Sequence, residues 1–241
     1  MNRDKSVAWV GWWLLLALLA SDSFAADPAS PYVRGKASAD GIGKFYMGRE
    51  ISHVMGWQGA AWLERDERER EERTDLLLPE LALKPGMVVA DVGAGTGYFS
   101  QRIAQRLGAA GKVYAVDVQP EMVSMLAALA KRPGLGTIVP VLGTPTDVQL
   151  PAASVDLAIM VDVYHELAFP REVLASMVRA VKPGGRVVFV EYRAEDPNVP
   201  IKPLHKMSEA QVRREAAPQT LVWERTATTL PWQHVVIFRK P

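Results

Sequence analysis

The order of residues in Met87-Val88-Val89-Ala90-Asp91-Val92-Gly93-Ala94-Gly95-Thr96-Gly97-Tyr98-Phe99-Ser100 decides the fold. An apolar run carries one carboxylate, glycines follow at alternate positions, and a helical pattern covers 99–107. This order predicts a buried strand, a tight turn and a helix. Glycine suits a turn that a ligand must approach closely, because it lacks a Cβ and tolerates positive φ. The helix behind the turn presents free N–H groups at its first turn. Strand, glycine loop and helix together describe a nucleotide-type binding site.

Outward from this unit, strand and helix patterns alternate. Strands are expected over Val88–Val92, Lys112–Asp117, 137–142, Val155–Val161, 186–192, 221–226 and 234–239, and helices over 99–107, 120–131, 170–181 and 208–217. Continuous Val, Ile and Leu runs suit strands covered on both faces, as in a parallel sheet. The last two strands follow each other across Pro231 and suit an antiparallel pair.

A second ligand signal lies at the end of the second strand, Val113-Tyr114-Ala115-Val116-Asp117. A carboxylate at that place accepts hydrogen bonds from both hydroxyls of a ribose. With Asp117 added, the pattern Asp91-x-Gly93-x-Gly95-x-Gly97 resembles the first motif of the class I S-adenosylmethionine-dependent methyltransferases. Val155-Asp156-Leu157 leading to Asp162 resembles that family's fourth-strand motif, and Lys182-Pro183-Gly184-Gly185-Arg186 the turn before its fifth strand. A dinucleotide-binding fold competes, but its fingerprint needs a third glycine where this chain has Tyr98. The resemblance covers about residue 76 to the C-terminus. It implies a Rossmann-like, doubly wound α/β fold: a mostly parallel seven-stranded sheet with an antiparallel C-terminal strand. It implies S-adenosyl-L-methionine as cofactor, with Asp91, Gly93, Ala94, Gly95 and Gly97 near its methionine part, Asp117 and Val118 near its ribose, and Asp162 close by. Many relatives carry an acid soon after the third strand. Here Thr144 stands at that place and Asp147 follows three residues later, so adenine recognition falls to Asp147 or to Gly143 and Thr144.

The fourth strand ends Met160-Val161-Asp162-Val163-Tyr164-His165-Glu166. Strand C-termini border the ligand crevice of an open α/β sheet, so these side chains stand near the reacting methyl group. Histidine as a residue type suits accepting a proton near neutral pH, which makes His165 a candidate base, and Tyr164 is its companion candidate. The alternative is that His165 and Glu166 merely cap a turn. His205 lies in a proline-stiffened loop with Lys202 and Lys206, while His53 and His234 read as structural residues. No His, Asp or Glu spacing indicates a metal site.

The rest of the chain bounds the function. The 241 residues suffice for one α/β domain, the net charge is +1, and there is no cysteine. The lack of cysteine excludes disulfides and thiolate metal sites, and argues against thiol-dependent arsenite methylation. The lack of a basic patch argues against a nucleic-acid substrate. Residues 1–25 have the layout of a secretory signal peptide, with small residues before a cleavage point after Ala25. Export to the periplasm or outside the cell is therefore expected, with no membrane span after cleavage. An uncleaved N-terminal anchor is the alternative.

Residues 26–40 read as a flexible linker and 41–75 as an N-terminal helical cap, within which 64–73 is a solvated charged helix. Tyr46 or Arg49 is expected at the cofactor, and Met55 and Trp57 are expected to pack on the sheet edge. The core spans 76–241. The expected activity is methyl transfer to a small-molecule acceptor. The alternative is a non-catalytic S-adenosylmethionine-binding sensor or scaffold.

Overall fold

A computed structural model describes Met1 and residues 30–241. The signal-peptide reading rests on residues outside the described set, as does the first part of the expected linker. The first described elements are strands β1 (Tyr32–Arg34), β2 (Gly41–Tyr46) and β3 (Arg49–Ser52), which form a small antiparallel sheet. Short helices α1 (Ala60–Leu63), α2 (Arg68–Glu72) and α3 (Thr74–Glu80) lead into the main domain. There β4 (Val88–Val92), α4 (Tyr98–Leu107), β5 (Lys112–Asp117), α5 (Pro120–Ala130) and β6 (Ile138–Leu142) alternate. The chain continues through β7 (Val155–Val161), α6 (Pro170–Ala180), β8 (Val181–Tyr192), α7 (Glu209–Ala216), β9 (Val222–Ala227) and β10 (Gln233–Arg239).

The main sheet has seven strands in the order β6-β5-β4-β7-β8-β10-β9. All pairings are parallel except those of β10, which runs antiparallel to β8 and β9. This is the expected doubly wound sheet. The chain builds outward from β4 through β5 to β6, then returns to place β7 on the other side of β4. The order reverses there, which opens a crevice beyond the carboxyl ends of β4 and β7.

Strand side chains alternate between two cores. Val89, Ile159, Val188 and Ile237 face the helices α3, α4 and α5, where Leu77, Ile103 and Leu126 are buried. Their neighbours Ala90, Met160, Phe189 and Val236 face α6 and α7, where Leu174, Met177 and Val212 are buried. Covering both faces is what makes these strands read as unbroken apolar runs.

The N-terminal region differs from its sequence reading. Residues 41–75 begin with a hairpin and not with a helix, and part of the expected linker is strand β1. The hairpin turn is Met47-Gly48, with φ values of 48° and 90°. Two positive-φ residues in a two-residue loop match the twist of the flanking strands. The charged run at 64–73 is not wholly solvated: Arg68 and Glu72 are buried. In the main sheet, 182–185 bulges within β8, between Val181, which pairs with Val155, and Arg186, which pairs with Leu157.

Candidate active site

The glycine loop leaves β4 and turns toward α4. Gly93 and Ala94 donate their N–H groups to the Val116 carbonyl at 2.8 and 3.0 Å, tying the loop to β5. Gly93 has φ +73°, and a Cβ there would lie 2.5 Å from Val163 Cγ1. Gly95 has φ +56°, and a Cβ there would lie 2.7 Å from Leu63 Cδ1. Both positions therefore need glycine for conformation and for room. The second contact also shows that α1 folds over the loop.

Three carboxylates face the cavity beside this loop. Asp91, near the end of β4, accepts a 2.6 Å hydrogen bond from Ser100 Oγ, and burial pushes its pKa up to about 6. Asp117, the last residue of β5, accepts from the Gly95 and Gln119 N–H groups, each at 2.9 Å, and burial raises its pKa. Asp162 follows β7 with φ +53°. Its Oδ2 accepts from Gln233 Nε2 at 3.3 Å, while its Oδ1 is buried without a hydrogen-bond partner among the described residues. Burial, with Glu72 and Glu191 nearby, raises the Asp162 pKa well above the usual range.

The N-terminal helices complete this wall. Arg68 pairs with Glu72 at 2.9 Å and lies 4.2 Å from the Tyr98 ring centroid. Arg65 reaches the same glutamate at 2.7 Å, and the Tyr192 hydroxyl donates to it at 3.1 Å. The cavity has a volume of about 720 Å³ and opens to solvent.

Its other end is built on a short 3-10 turn, Tyr164–Glu166, directly after β7. His165 is buried, with Nδ1 2.6 Å from Glu191 Oε2. Glu191 is fully buried, and its other oxygen accepts from the Tyr164 N–H at 2.9 Å. Glu166 Oε1 lies 3.8 Å from His165 Nε2 and 3.4 Å from His205 Nδ1. The His165 carbonyl accepts from Arg49 Nη1 at 3.0 Å and Ser52 Oγ at 3.2 Å, so the small sheet holds this turn in place.

A family model described as "Methyltransferase domain" matches residues 90–189. A solved S-adenosylmethionine-dependent methyltransferase from Aquifex aeolicus superposes with a TM-score of 0.73 at 26% identity, covering 78% of this chain and all of that one. The chain carries a class I S-adenosylmethionine-dependent methyltransferase domain. Among curated proteins, the nocamycin O-methyltransferase of Saccharothrix syringae is 35% identical over 43% of this chain and 37% of its own length. The ubiquinone/menaquinone biosynthesis C-methyltransferase UbiE of Bordetella parapertussis is 27% identical over 46% and 43%. The chain thus spans less than half the length of these two relatives.

The residues of this methyltransferase domain suit its cofactor. S-adenosylmethionine carries an ammonium and a sulfonium, and the wall offers buried carboxylates of raised pKa. Asp91, Asp117 and Asp162 all line the cavity beside the glycine loop, where a ligand cation would meet acceptor oxygens. Of the residues singled out from sequence, Asp91, Gly93, Ala94, Gly95, Asp117, Val118, Asp147, Asp162 and His165 line the cavity.

Others are placed elsewhere. Gly97 packs against Leu129 and Leu126 of α5, behind the cavity wall. Tyr164 is fully buried edge-on to Phe189, in the core under α6, because the turn that presents His165 to the cavity sends its neighbour inward. Tyr46 is buried in the core of the small sheet, and Arg49 pairs with Glu215. Asp147, by contrast, does line the cavity, but at its rim, with Oδ2 2.7 Å from Arg179 Nη2 and Oδ1 accepting from the Gln149 N–H.

The cavity is also lined by residues that the sequence did not single out as site residues: Arg65, Arg68 and Glu72 from the charged run, Met55 from the N-terminal segment, and Tyr192 at the end of β8. Nothing in an alternating Glu/Arg run marks which turn faces inward, so no sequence signal separated Arg68 and Glu72 from their exposed neighbours.

Proposed function

We propose that the protein is an exported methyltransferase that transfers a methyl group from S-adenosylmethionine to a small-molecule acceptor. The observation that carries this reading is that Asp91, Asp117, Asp162 and His165 line one cavity beside the glycine loop. When bound, the cofactor supplies a methyl carbon already activated on sulfur. Asp117 holds the ribose hydroxyls, Asp162 and the glycine loop hold the methionine end, and Val118 lies along the ribose. With the Asp147 carboxylate engaged by Arg179, adenine recognition passes to Gly143 and Thr144, which also line the cavity. The acceptor enters at the His165 end, over the loop that carries Ile201 and His205. Its nucleophile meets His165 Nε2, whose lone pair faces the cavity when Nδ1–H is donated to Glu191. Positioning supplies most of the rate, because the methyl donor needs no further activation.

The test pairs calorimetry with S-adenosylhomocysteine and transfer of a radiolabelled methyl group to the small-molecule fraction of a cell extract. Binding with transfer supports the reading, and His165→Ala is expected to lower transfer at least tenfold while binding is kept. Binding without transfer to any fraction turns the reading into a sensor or scaffold, and no binding overturns both. Export is supported by the signal-peptide layout of residues 1–25 and is checked by sequencing the N-terminus of the mature chain.

A further inference from the structure

His165, Glu166 and His205 converge at the cavity wall. Each offers one ligand atom, and these atoms all lie within 4.8 Å of one another. The separations of 3.8 Å and 3.4 Å from Glu166 Oε1 to the two imidazole nitrogens are close to those around a tetrahedral cation. Metal–nitrogen and metal–oxygen bonds of about 2.0–2.2 Å place neighbouring ligand atoms roughly 3.3–3.6 Å apart. We propose that these three side chains form a binding site for one divalent cation of the zinc, cobalt or manganese type, with its remaining position open to the cavity.

Four further observations support a ligand set over a chance cluster. The Nδ1 of His165 lies 2.6 Å from the buried Glu191 carboxylate, and its Nε2 lies 3.8 Å from Glu166 Oε1. A carboxylate behind a histidine in this way orients metal-ligating imidazoles and raises their basicity. The second oxygen of Glu166 accepts from the Met55 N–H at 3.1 Å, so the carboxylate is held with Oε1 toward the histidines. The His165 backbone is clamped by Arg49 and Ser52. The rings of His165 and His205 meet edge to face, with centroids 5.2 Å apart, so both nitrogens can reach one point without stacking. Two carboxylates, Glu166 and Glu191, stand beside the two imidazoles, a donor set whose charge suits a divalent cation in a partly buried place.

Two imidazoles and one carboxylate are three ligands, which suits borderline cations and leaves at least one position for an external oxygen or nitrogen. That position faces the cavity. The role of the cation, to bind and polarise the acceptor's nucleophile, rests on the methyl-transfer reading. The cation site itself does not. With a cation bound, His165 is a ligand and no longer takes up a proton.

The test uses tag-free full-length protein stripped with a chelator. Cobalt(II) is added and followed by visible absorption, and zinc affinity is measured by competition with a chromogenic chelator. One cation per chain is expected, with the absorption bands of mixed nitrogen and oxygen ligands. His205→Ala, a change on a half-buried loop turn, is expected to weaken binding about 100-fold. Glu166→Gln is expected to do the same, and Glu191→Gln to weaken it 10- to 100-fold. His53→Ala, outside the cluster, is expected to leave it unchanged. Circular dichroism and S-adenosylhomocysteine binding show that each variant is folded. No cation bound by the wild type, or equal affinity in His205→Ala, overturns the site. Methyl transfer by such a cation-free protein would leave the transfer reading standing. Cation binding without transfer would establish the site and remove only its role.

Discussion

Arg49 and Glu215 form a bidentate ion pair, Nε to Oε1 at 2.8 Å and Nη2 to Oε2 at 3.0 Å, that ties the N-terminal hairpin to α7. Both side chains are largely buried, and the third arm of Arg49 reaches the His165 carbonyl. One residue thus couples the small sheet, the last helix and the turn that presents His165.

Breaking this pair from one side leaves a buried charge alone. Glu215→Ala is expected to destabilise the protein by about 3–5 kcal/mol, while replacing Arg49 and Glu215 together by leucines costs much less. Thermal or denaturant unfolding of the two variants checks this. Equal losses in both would show that the pair itself contributes the stability.

Asp117→Asn replaces an acceptor-only carboxylate that also holds the Gly95 N–H. S-adenosylhomocysteine affinity is expected to fall at least tenfold, or about 1.4 kcal/mol, by calorimetry. Asparagine has one oxygen, so either the Gly95 or the Gln119 N–H loses its acceptor, and a stability loss of about 1 kcal/mol is expected by thermal unfolding.

Gly93→Ala adds a Cβ at φ +73°, 2.5 Å from Val163 Cγ1. The backbone term alone costs about 1–2 kcal/mol. The clash adds to it and displaces the loop, so both melting temperature and cofactor affinity are expected to drop. Adding Val163→Ala should recover the part due to the clash and leave the part due to φ. Full recovery would mean that the backbone conformation costs nothing.

Asp91 sets a pH dependence. Its pKa is 3.8 when free and about 6 in the folded protein, chiefly through burial. Between these values the folded state keeps a proton that the unfolded state has lost. The contribution to stability is therefore complete below about 3.8 and is lost as pH rises through about 6. The difference amounts to about 3 kcal/mol. Asp91→Asn is expected to flatten this slope and to be the more stable protein at pH 7. A bound ammonium favours ionised carboxylates, so S-adenosylhomocysteine affinity should rise between pH 5 and 7. A flat calorimetric profile would count against Asp91 facing the ligand's charge.

The main sheet was legible because its strands are buried on both faces. Such burial favours apolar residues at most positions, and the resulting runs at Val88–Val92, Lys112–Asp117 and Val155–Val161 have the observed boundaries. Gly93, Gly95, Asp91 and Asp117 were legible for a related reason: a loop that must turn sharply and admit a ligand tolerates few residue types. The hairpin at 41–52 was less legible, because its main signal is a Met-Gly turn amid mixed side chains.

Local sequence therefore carried the α/β order, the glycine loop and the acids at the strand ends, since each depends on neighbours along the chain. Packing decided which side chains share a wall. Arg68 and Glu72 turn inward because α2 lies against Tyr98 and Tyr192, and Tyr164 turns away because the 3-10 turn after β7 alternates its side chains between cavity and core. Forty residues separate His205 from His165, and no spacing rule joins them. They meet at Glu166 because the loop after β8 returns over the end of β7, a closure that exists only once the sheet has ordered its strands.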